Sequence, residues 1–468
     1  MHKDSNFHID PDQIERNFAE IHPAMTPAEA AVEANRCLFC FDAPCMHACP
    51  THIDIPGFIK KIASGNLKGS ARVIFDANPV GATCARVCPV EVLCEGACVE
   101  NTLLQKPIEI GRLQRYATDF TISKEIRLFE AGEPNGKSIG IVGSGPAGLS
   151  CATYLARLGY AVKIYDKRAF AGGLDTYGMA EYKMPRTVSL DEVAQAEALG
   201  VEFILNTEIV QAPEASGGVS FADLKQRHDA IFLGIGLGAT NKLGIAGEDL
   251  DGVYDALHFI EKIKTRHWSS VPLGKSVVVI GAGNTAVDAA TQAKRLGAER
   301  VVMLYRRSES EMPAYDYEYE LAKQDGIEFV WQAAPIKILS QEGVSIVVGG
   351  LLLTCEKTDG SRELLEIPCD MVIKAIGQEK MRSFFEDVAG VALDEKGRVI
   401  VNEQMQTSDA RIFAGGDCVN GGGEAVEAAQ MGKHAAIGIH SSLTGETVEF
   451  AGAILRDPPK APVDPNPH

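Results

Sequence analysis

Eight of the twelve cysteines in this sequence fall between Cys37 and Cys98. They form two runs, Cys37-x2-Cys40-x4-Cys45-x3-Cys49-Pro50 and Cys84-x3-Cys88-Pro89-x4-Cys94-x3-Cys98. Clustered thiols in a cytosolic chain bind metal more readily than they pair as disulfides. A short run closed by Cys-Pro is the iron–sulfur style, in which a fourth ligand can cross to a neighbouring cluster. The proline ends local helix and helps fix the turn. Tetrahedral zinc is the competing reading, since Cys-x2-Cys suits it too. Cys151, Cys355, Cys369 and Cys418 stand alone and read as small buried hydrophobes.

A second kind of chemistry is written twice. The apolar strand Ser138–Val142 runs into Gly143-Ser-Gly145-Pro146-Ala147-Gly148, then a helix to about Leu158 and a strand, Ala161–Tyr165, that ends at Asp166. Gly143 permits the tight turn, Gly145 lets the backbone approach a pyrophosphate, and Gly148 lets the helix pack on the sheet. The helix N-terminus offers free N–H groups and a positive dipole end to the phosphates. Asp166 lies 166 − 143 = 23 positions after Gly143, where an acid accepts hydrogen bonds from ribose hydroxyls. The second copy is the strand Lys275–Ile280 followed by Gly281-Ala-Gly283-Asn284-Thr285-Ala286. Its next strand, Arg300–Leu304, ends in Tyr305-Arg306-Arg307 instead of an acid. Two guanidiniums would hold the 2′-phosphate that Asp166 would repel. Solvated surface arginines are the alternative, and Glu309 and Glu311 dilute the local field, so NADPH is favoured only slightly over NADH. Two fingerprints of opposite ribose preference point to FAD plus NAD(P)H. A flavin needs an electron outlet, which favours iron–sulfur over redox-silent zinc. No Cys-x2-Cys lies near either fingerprint, so a built-in redox disulfide is excluded.

These sites need elements to carry them. The 468 residues suffice for two or three domains, and 46% hydrophobic with 23% charged residues is ordinary for a globular chain. A net charge of -18 argues against nucleic acid. No apolar run is long enough to span a membrane, and Met1 to Asp10 carries no signal-peptide core, so a cytoplasmic location is expected. Short helices around the cysteines are expected to about Glu130, with Ala131–Gly136 as a linker. A strand–helix series of parallel-sheet type follows. The tail from Pro458 to His468, with five prolines, reads as extended.

Further motifs carry a family resemblance. Ala410-Arg-Ile-Phe-Ala-Gly-Gly416-Asp417 resembles the closing motif of two-dinucleotide-binding flavoproteins, in which an Asp meets the flavin ribityl chain. Gly172-Gly173-Leu174 and Ala375-Ile-Gly377-Gln378 fit the same family. The resemblance covers 138 to about 440. It implies an α/β chain: an N-terminal α-helical iron–sulfur domain (1–130), a Rossmann-like FAD domain in two parts (138–271 and 379–447), an inserted Rossmann-like NAD(P) domain (272–378), and a tail (448–468). FAD would be held by the first fingerprint from Gly143 to Gly148, with Asp166, Lys167, Gly173, Leu174, Gly416, Asp417 and Ala425. NAD(P)H would take Gly281, Gly283, Asn284, Thr285, Arg306, Arg307 and Gly377, with Asn284 and Thr285 beside the nicotinamide. Residues 30–120 resemble the N-terminal domain of dihydropyrimidine dehydrogenases and of their bacterial nucleotide-oxidising subunits, within a group that includes the glutamate synthase small subunit. That resemblance implies two [4Fe–4S] clusters, one on Cys37, Cys40, Cys45 and Cys98, the other on Cys49, Cys88, Cys94 and Gln114. Gln114 stands where other group members usually carry Glu, and Cys84 matches a cysteine that is not a ligand. Pro313 replaces a phosphate-binding arginine and Lys183 a flavin-side arginine of the family pattern.

Hydride transfer between cofactors needs no protein acid or base, so no catalytic residue is expected. With no barrel segment after Gly416-Asp417, the resemblance implies a hetero-oligomer whose FMN-containing barrel subunit, with further iron–sulfur clusters, reduces uracil or thymine. A subunit serving glutamate synthase or a ferredoxin–nucleotide transhydrogenase is the alternative, and a zinc-dependent assembly module a third. Arg306→Ala is expected to weaken NADPH binding by about 1–3 kcal/mol and to leave NADH nearly unaffected. Steady-state kinetics with both nucleotides check this, and equal losses would remove the phosphate clamp.

Overall fold

The computed structural model describes residues 10–211, 218–341, 344–356 and 361–452. The expected Pro-rich tail and the polar start before Asp10 lie outside the described residues.

Eight short helices open the chain: α1 (Pro11–Asn17), α2 (Pro27–Arg36), α3 (Pro44–Ala48), α4 (Ile55–Ala63), α5 (Leu67–Ala77), α6 (Gly81–Val87), α7 (Val99–Leu104) and α8 (Ile110–Ile122). Their brevity follows from the punctuation. Thr26 and Glu29 close a capping box on α2, and the side chains of Asp54 and Asn66 cap α4 and α5. Pro50 and Pro89 push the residues before them out of the helical region. Cys49 (φ -81, ψ 118) and Cys88 (φ -61, ψ 137) are accordingly extended, and they end α3 and α6.

The chain then runs through β1 (Ser138–Val142), α9 (Pro146–Arg157), β2 (Ala161–Tyr165), α10 (Arg186–Ala198), β3 (Glu202–Ile204) and β4 (Ala230–Leu233). Next come β5 (Val253–Asp255), α11 (Ala256–Thr265), β6 (Ser276–Ile280), α12 (Asn284–Leu296), β7 (Arg300–Leu304) and β8 (Glu328–Val330). They are followed by β9 (Ala333–Gln341), β10 (Val344–Glu356), β11 (Arg362–Pro368) and β12 (Met371–Lys374). The last elements are β13 (Ile412–Ala414), α13 (Asp417–Asn420) and α14 (Ala425–Thr444).

These elements form two compact units. One holds residues 22–175, 187–237 and those from Lys380 on; the other holds the segments ending at Ile21, 176–186 and 238–379. The first unit contains a parallel sheet of order β13-β4-β1-β2-β3, the second a parallel sheet of order β8-β7-β6-β12-β5 and an antiparallel sheet β9-β10-β11. In each parallel sheet the fingerprint strand, β1 or β6, lies between two neighbours reached in opposite directions. Open α/β sheets bind ligands at that switch point.

In the first unit the cysteine helices and the flavin-type sheet share one core. Val80 and Cys84 of the α6 region cluster with Ile139, Leu155, Phe413 and Ala429. The linker is pinned down too. The Gly132 N–H donates to Ala156 O and the Asn135 N–H to Gly159 O, each at 3.0 Å. Residues 238–271 fold with the second unit, where β5 pairs with β12. So does α1, whose end is held by Asn17 Nδ2 donating to Arg295 O at 2.9 Å.

The α9 turn is tight enough to test. A Cβ on Gly148 would sit 2.0 Å from Gly143 O, a backbone atom that cannot swing away. Gly148→Ala is expected to lower stability by about 1–3 kcal/mol, read as a reduced urea midpoint. A wild-type midpoint would contradict the close packing of α9 on β1.

Candidate functional site

Two cavities lie among the cysteine helices. The first is lined by Cys37, Cys40, Cys45 and Cys98, with apolar walls from Pro44, Ile55, Ile59 and Ile108. The second is lined by Cys49, Cys88, Cys94 and Gln114, and also by Cys84 and Val426. One cysteine from each run has crossed: Cys98 joins the first run's cavity and Cys49 the second run's. Left-handed backbone at Phe39 (φ 51) and Ala43 (φ 32) folds the chain around the first cavity.

Among the described residues no three His, Cys, Asp or Glu side chains converge on a single-ion site. A mononuclear zinc centre needs its sulfurs about 2.3 Å from one ion. Thiols that ring a cavity without converging suit a polynuclear cluster. Burial pushes the Cys45 thiol up to about 12 and raises Cys37 and Cys94. Left to themselves such thiols stay protonated, and only a cationic metal core would ionise them. At the second cavity Gln114 Nε2 donates to Gly81 O at 2.7 Å. Its amide oxygen has no hydrogen-bond donor among the described residues. Asn78 Nδ2 donates to the Cys84 sulfur at 3.2 Å, so that thiol already has a partner.

At the first fingerprint, Gly143 has φ +96, and Pro146 begins α9 where its missing N–H costs nothing. Gly145 meets only Gly173 Cα, 3.9 Å from where its Cβ would be, which leaves the phosphate side open. Asp166 Oδ2 accepts from Ser144 N (2.9 Å) and Oγ (2.5 Å), while Oδ1 accepts from Arg168 N (2.9 Å). Lys167 beside it and Leu174 are exposed. Gly416 backs onto Ala147, whose Cβ lies 3.1 Å from where a Gly416 Cβ would be. Asp417 is raised above the usual carboxylate range by burial, and its Oδ1 accepts from Gly423 N at 3.1 Å. Ala425 opens α14. Gly143, Gly145, Ala147, Gly148, Gly173 and Gly416 therefore lie close together at this turn, while Lys167 and Leu174 face solvent.

In the other unit a Cβ on Gly281 would lie 2.2 Å from Ala375 O, so the Ala375–Gly377 return lies on the fingerprint. Gly283 faces open space. Asn284 Oδ1 accepts from Tyr315 N at 3.2 Å, and Thr285 is exposed. Arg306 and Arg307 are exposed, with no ion pair among the described residues. Glu311 is engaged by Ser308 and Glu309 by Tyr319 at 2.6 Å. Lys183, which stands where the family pattern has a flavin-side arginine, is held by Asp288 Oδ1 at 2.5 Å and by Glu318.

Sequence reasoning missed Glu192 on α10. Its Oε1 accepts from Ala82 N (2.7 Å) and Thr83 N (3.0 Å), and its Oε2 from Thr83 Oγ1 (2.5 Å). It caps α6, the helix bearing Cys84 and ending at Cys88, which has no local side-chain cap. No local signal could have revealed a cap about a hundred residues away.

Residues 137–432 match the family described as pyridine nucleotide-disulphide oxidoreductase, and residues 14–126 match dihydropyrimidine dehydrogenase domain II, 4Fe-4S cluster. The chain is 35% identical over 447 residues to a glutamate synthase [NADPH] small chain of Halomonas elongata, covering 91% of this chain and 93% of that one. It is 33% identical over 426 residues to the NAD-dependent dihydropyrimidine dehydrogenase subunit PreT of Escherichia coli K12, covering 91% and 97%. In fold it is similar to Lactococcus lactis thioredoxin reductase, with TM-score 0.53 at 22% identity over 66% of this chain and all of the other. The chain belongs to the pyridine nucleotide-disulphide oxidoreductase family. It is an NAD(P)H-dependent flavin oxidoreductase that carries FAD and 4Fe-4S chemistry. None of its twelve cysteines is joined in a disulfide, and among the described residues no helix is long and apolar enough to cross a membrane.

Burial pushes the Glu192 carboxyl up from 4.5 to about 7. A folded value above the unfolded one means that proton binding favours the fold. The contribution is fully present below 4.5 and is lost as pH rises through about 7. Glu192→Gln is expected to flatten that part of the pH–stability curve, checked by urea unfolding across the window. Parallel curves for the two proteins would remove Glu192 as the titrating group.

Proposed function

We propose that this chain is the electron-input subunit of a two-component, cytoplasmic dihydropyrimidine dehydrogenase. It oxidises NAD(P)H and delivers electrons to an FMN-containing barrel subunit with further iron–sulfur clusters, which reduces uracil or thymine. The observation that carries this reading is the second cavity, walled by Cys49, Cys84, Cys88, Cys94 and the amide of Gln114 within the flavin unit's own core. By the family resemblance, Gln114 stands where other members of the group usually carry Glu.

FAD, when bound, supplies the conversion between a hydride and single electrons, and two [4Fe–4S] clusters supply the relay. The chain's own residues position these groups. Backbone N–H groups at Gly145 and the start of α9 would bind the flavin pyrophosphate, and Asp166 its ribose. Asp417 would meet the ribityl chain. Gly283 and α12 would take the nicotinamide nucleotide, and Arg306 with Arg307 favours a 2′-phosphate. The first cavity would hold its cluster on Cys37, Cys40, Cys45 and Cys98. The second would use Cys49, Cys88, Cys94 and the free oxygen of Gln114, while Cys84 stays with Asn78. An inserted nucleotide domain within a split FAD domain completes the assignment.

A second reading is favoured by the 35% identity to a glutamate synthase small chain: the same input machinery feeding an amidotransferase-type synthase. Anaerobic affinity purification from the native host separates the two. Co-purification of an FMN barrel subunit, with NAD(P)H oxidation dependent on uracil or thymine, is the expected result. A synthase subunit or a ferredoxin as the stoichiometric partner would overturn the pyrimidine assignment.

A further inference from the structure

Lys433, on α14, is completely buried. Its Nζ donates to Thr51 O at 3.2 Å and to Ala451 O at 2.9 Å. Both partners are neutral carbonyls. Among the described residues no carboxylate pairs with it. Asp76 adds some attraction at a distance, but its carboxylate is held by Arg157 at 2.6 Å. The Tyr154 ring lies 5.8 Å away, and Cys49 and His52 are further titratable groups nearby. A buried ammonium without a counter-charge is costly, and burial lowers this one to about 7.

Its surroundings show where a negative charge would fit. Thr51, whose carbonyl Lys433 grips, has its hydroxyl 3.4 Å from the sulfur of Cys49. Cys49 lines the second cavity, and so does Val426, two turns before Lys433 on the same helix. Gly432, next to Lys433, packs against the carbonyl of Ala147 in the flavin fingerprint. The lysine therefore stands between the expected flavin turn and the second cavity.

We propose that Lys433 is the built-in counter-charge of the cluster in the second cavity, a positioning residue that raises its reduction potential toward that of the flavin. The inference rests on the reading that this cavity holds a [4Fe–4S] cluster. A thiolate-ligated cluster becomes more negative when it gains an electron, and a fixed cation in a poorly screened interior favours that state. The electron comes from NAD(P)H by way of the flavin. No bond forms or breaks, and the proton stays on Nζ.

The test is an anaerobic redox titration of the full chain followed by electron paramagnetic resonance. It compares wild type with Lys433→Met, Lys433→Gln and Lys433→Arg. Gln keeps a hydrogen-bond donor without the charge, and Arg keeps the charge. The signal altered by Gln114→Cys identifies the second cluster. In Met and Gln that signal is expected to move to lower potential. Its reduced-to-oxidised ratio at a fixed potential should fall about tenfold, or about 59 mV for one electron, while the other cluster stays put and Arg behaves as wild type. An unmoved midpoint in Met and Gln, or an equal shift of both clusters, overturns the proposal. So does loss of the cluster in both uncharged variants, which would make Lys433 a support of the fold. A wild-type chain without a second cluster signal is a different failure, since it removes the two-cluster reading itself.

Discussion

Helices α9 and α14 approach each other backbone to backbone. A Cβ on Gly432 would lie 2.2 Å from Ala147 O and 2.9 Å from the Ser150 side chain, and Ser150 Oγ donates to Ala429 O at 2.7 Å. Only small residues allow this, and the stripe Ala147, Ser150, Ala428, Ala429, Gly432 provides them. The contact joins parts that are nearly three hundred residues apart in sequence. Through it the flavin fingerprint, the Gly416-Asp417 turn, the second-cavity wall at Val426 and the buried Lys433 become one rigid piece. Electron transfer between cofactors depends on such fixed spacing, and here it is set by packing and not by a flexible linker.

Lys433 differs from other buried cations, in its own unit as well as in the nucleotide unit: Arg86 and Arg115 both meet Asp119, at 2.8 and 3.1 Å. In the nucleotide unit Lys183 is enclosed by Asp288 and Glu318, and Lys264 meets Glu181 at 3.0 Å. These are compensated charges, and removing one partner of such a pair leaves the other buried alone. In the flavin unit Lys433 is bonded, among the described residues, to two carbonyls, beside a cavity ringed by thiols. Glu192 completes the contrast. It is a buried acid that spends its acceptor capacity on the bare N-terminus of α6.

Much of the site was legible because its chemistry is local. A strand, a glycine turn and a helix N-terminus are consecutive residues, so both fingerprints, Asp166 and the Arg306–Arg307 pair could be read directly. The Cys-Pro steps ended helices where expected for the same reason. Other features depend on distant contacts. The segment Ala131–Gly136 has the composition of a linker, yet hydrogen bonds to Ala156 and Gly159 fasten it to α9. Residues 238–271 carry no mark that assigns them to one sheet or the other, and it is the pairing of β5 with β12 that places them in the nucleotide unit. The acids that enclose Lys183, Asp288 and Glu318, lie more than a hundred residues further along the chain, so its burial and pairing could not be read locally.

The sequence by itself determined the kinds of chemistry: paired dinucleotide turns, clustered thiols in iron–sulfur style and an amide, Gln114, in an unusual place. Those depend on residue type and short spacing, which the chain states openly. Only the tertiary structure decided which thiols share a cavity, that Cys84 is tied to Asn78, and that the cysteine helices and the flavin sheet have one core. It also decided that a lysine in an apolar helix ends beside the second cavity. Burial and proximity are properties of the packed chain, because they arise when residues far apart in sequence exclude water together.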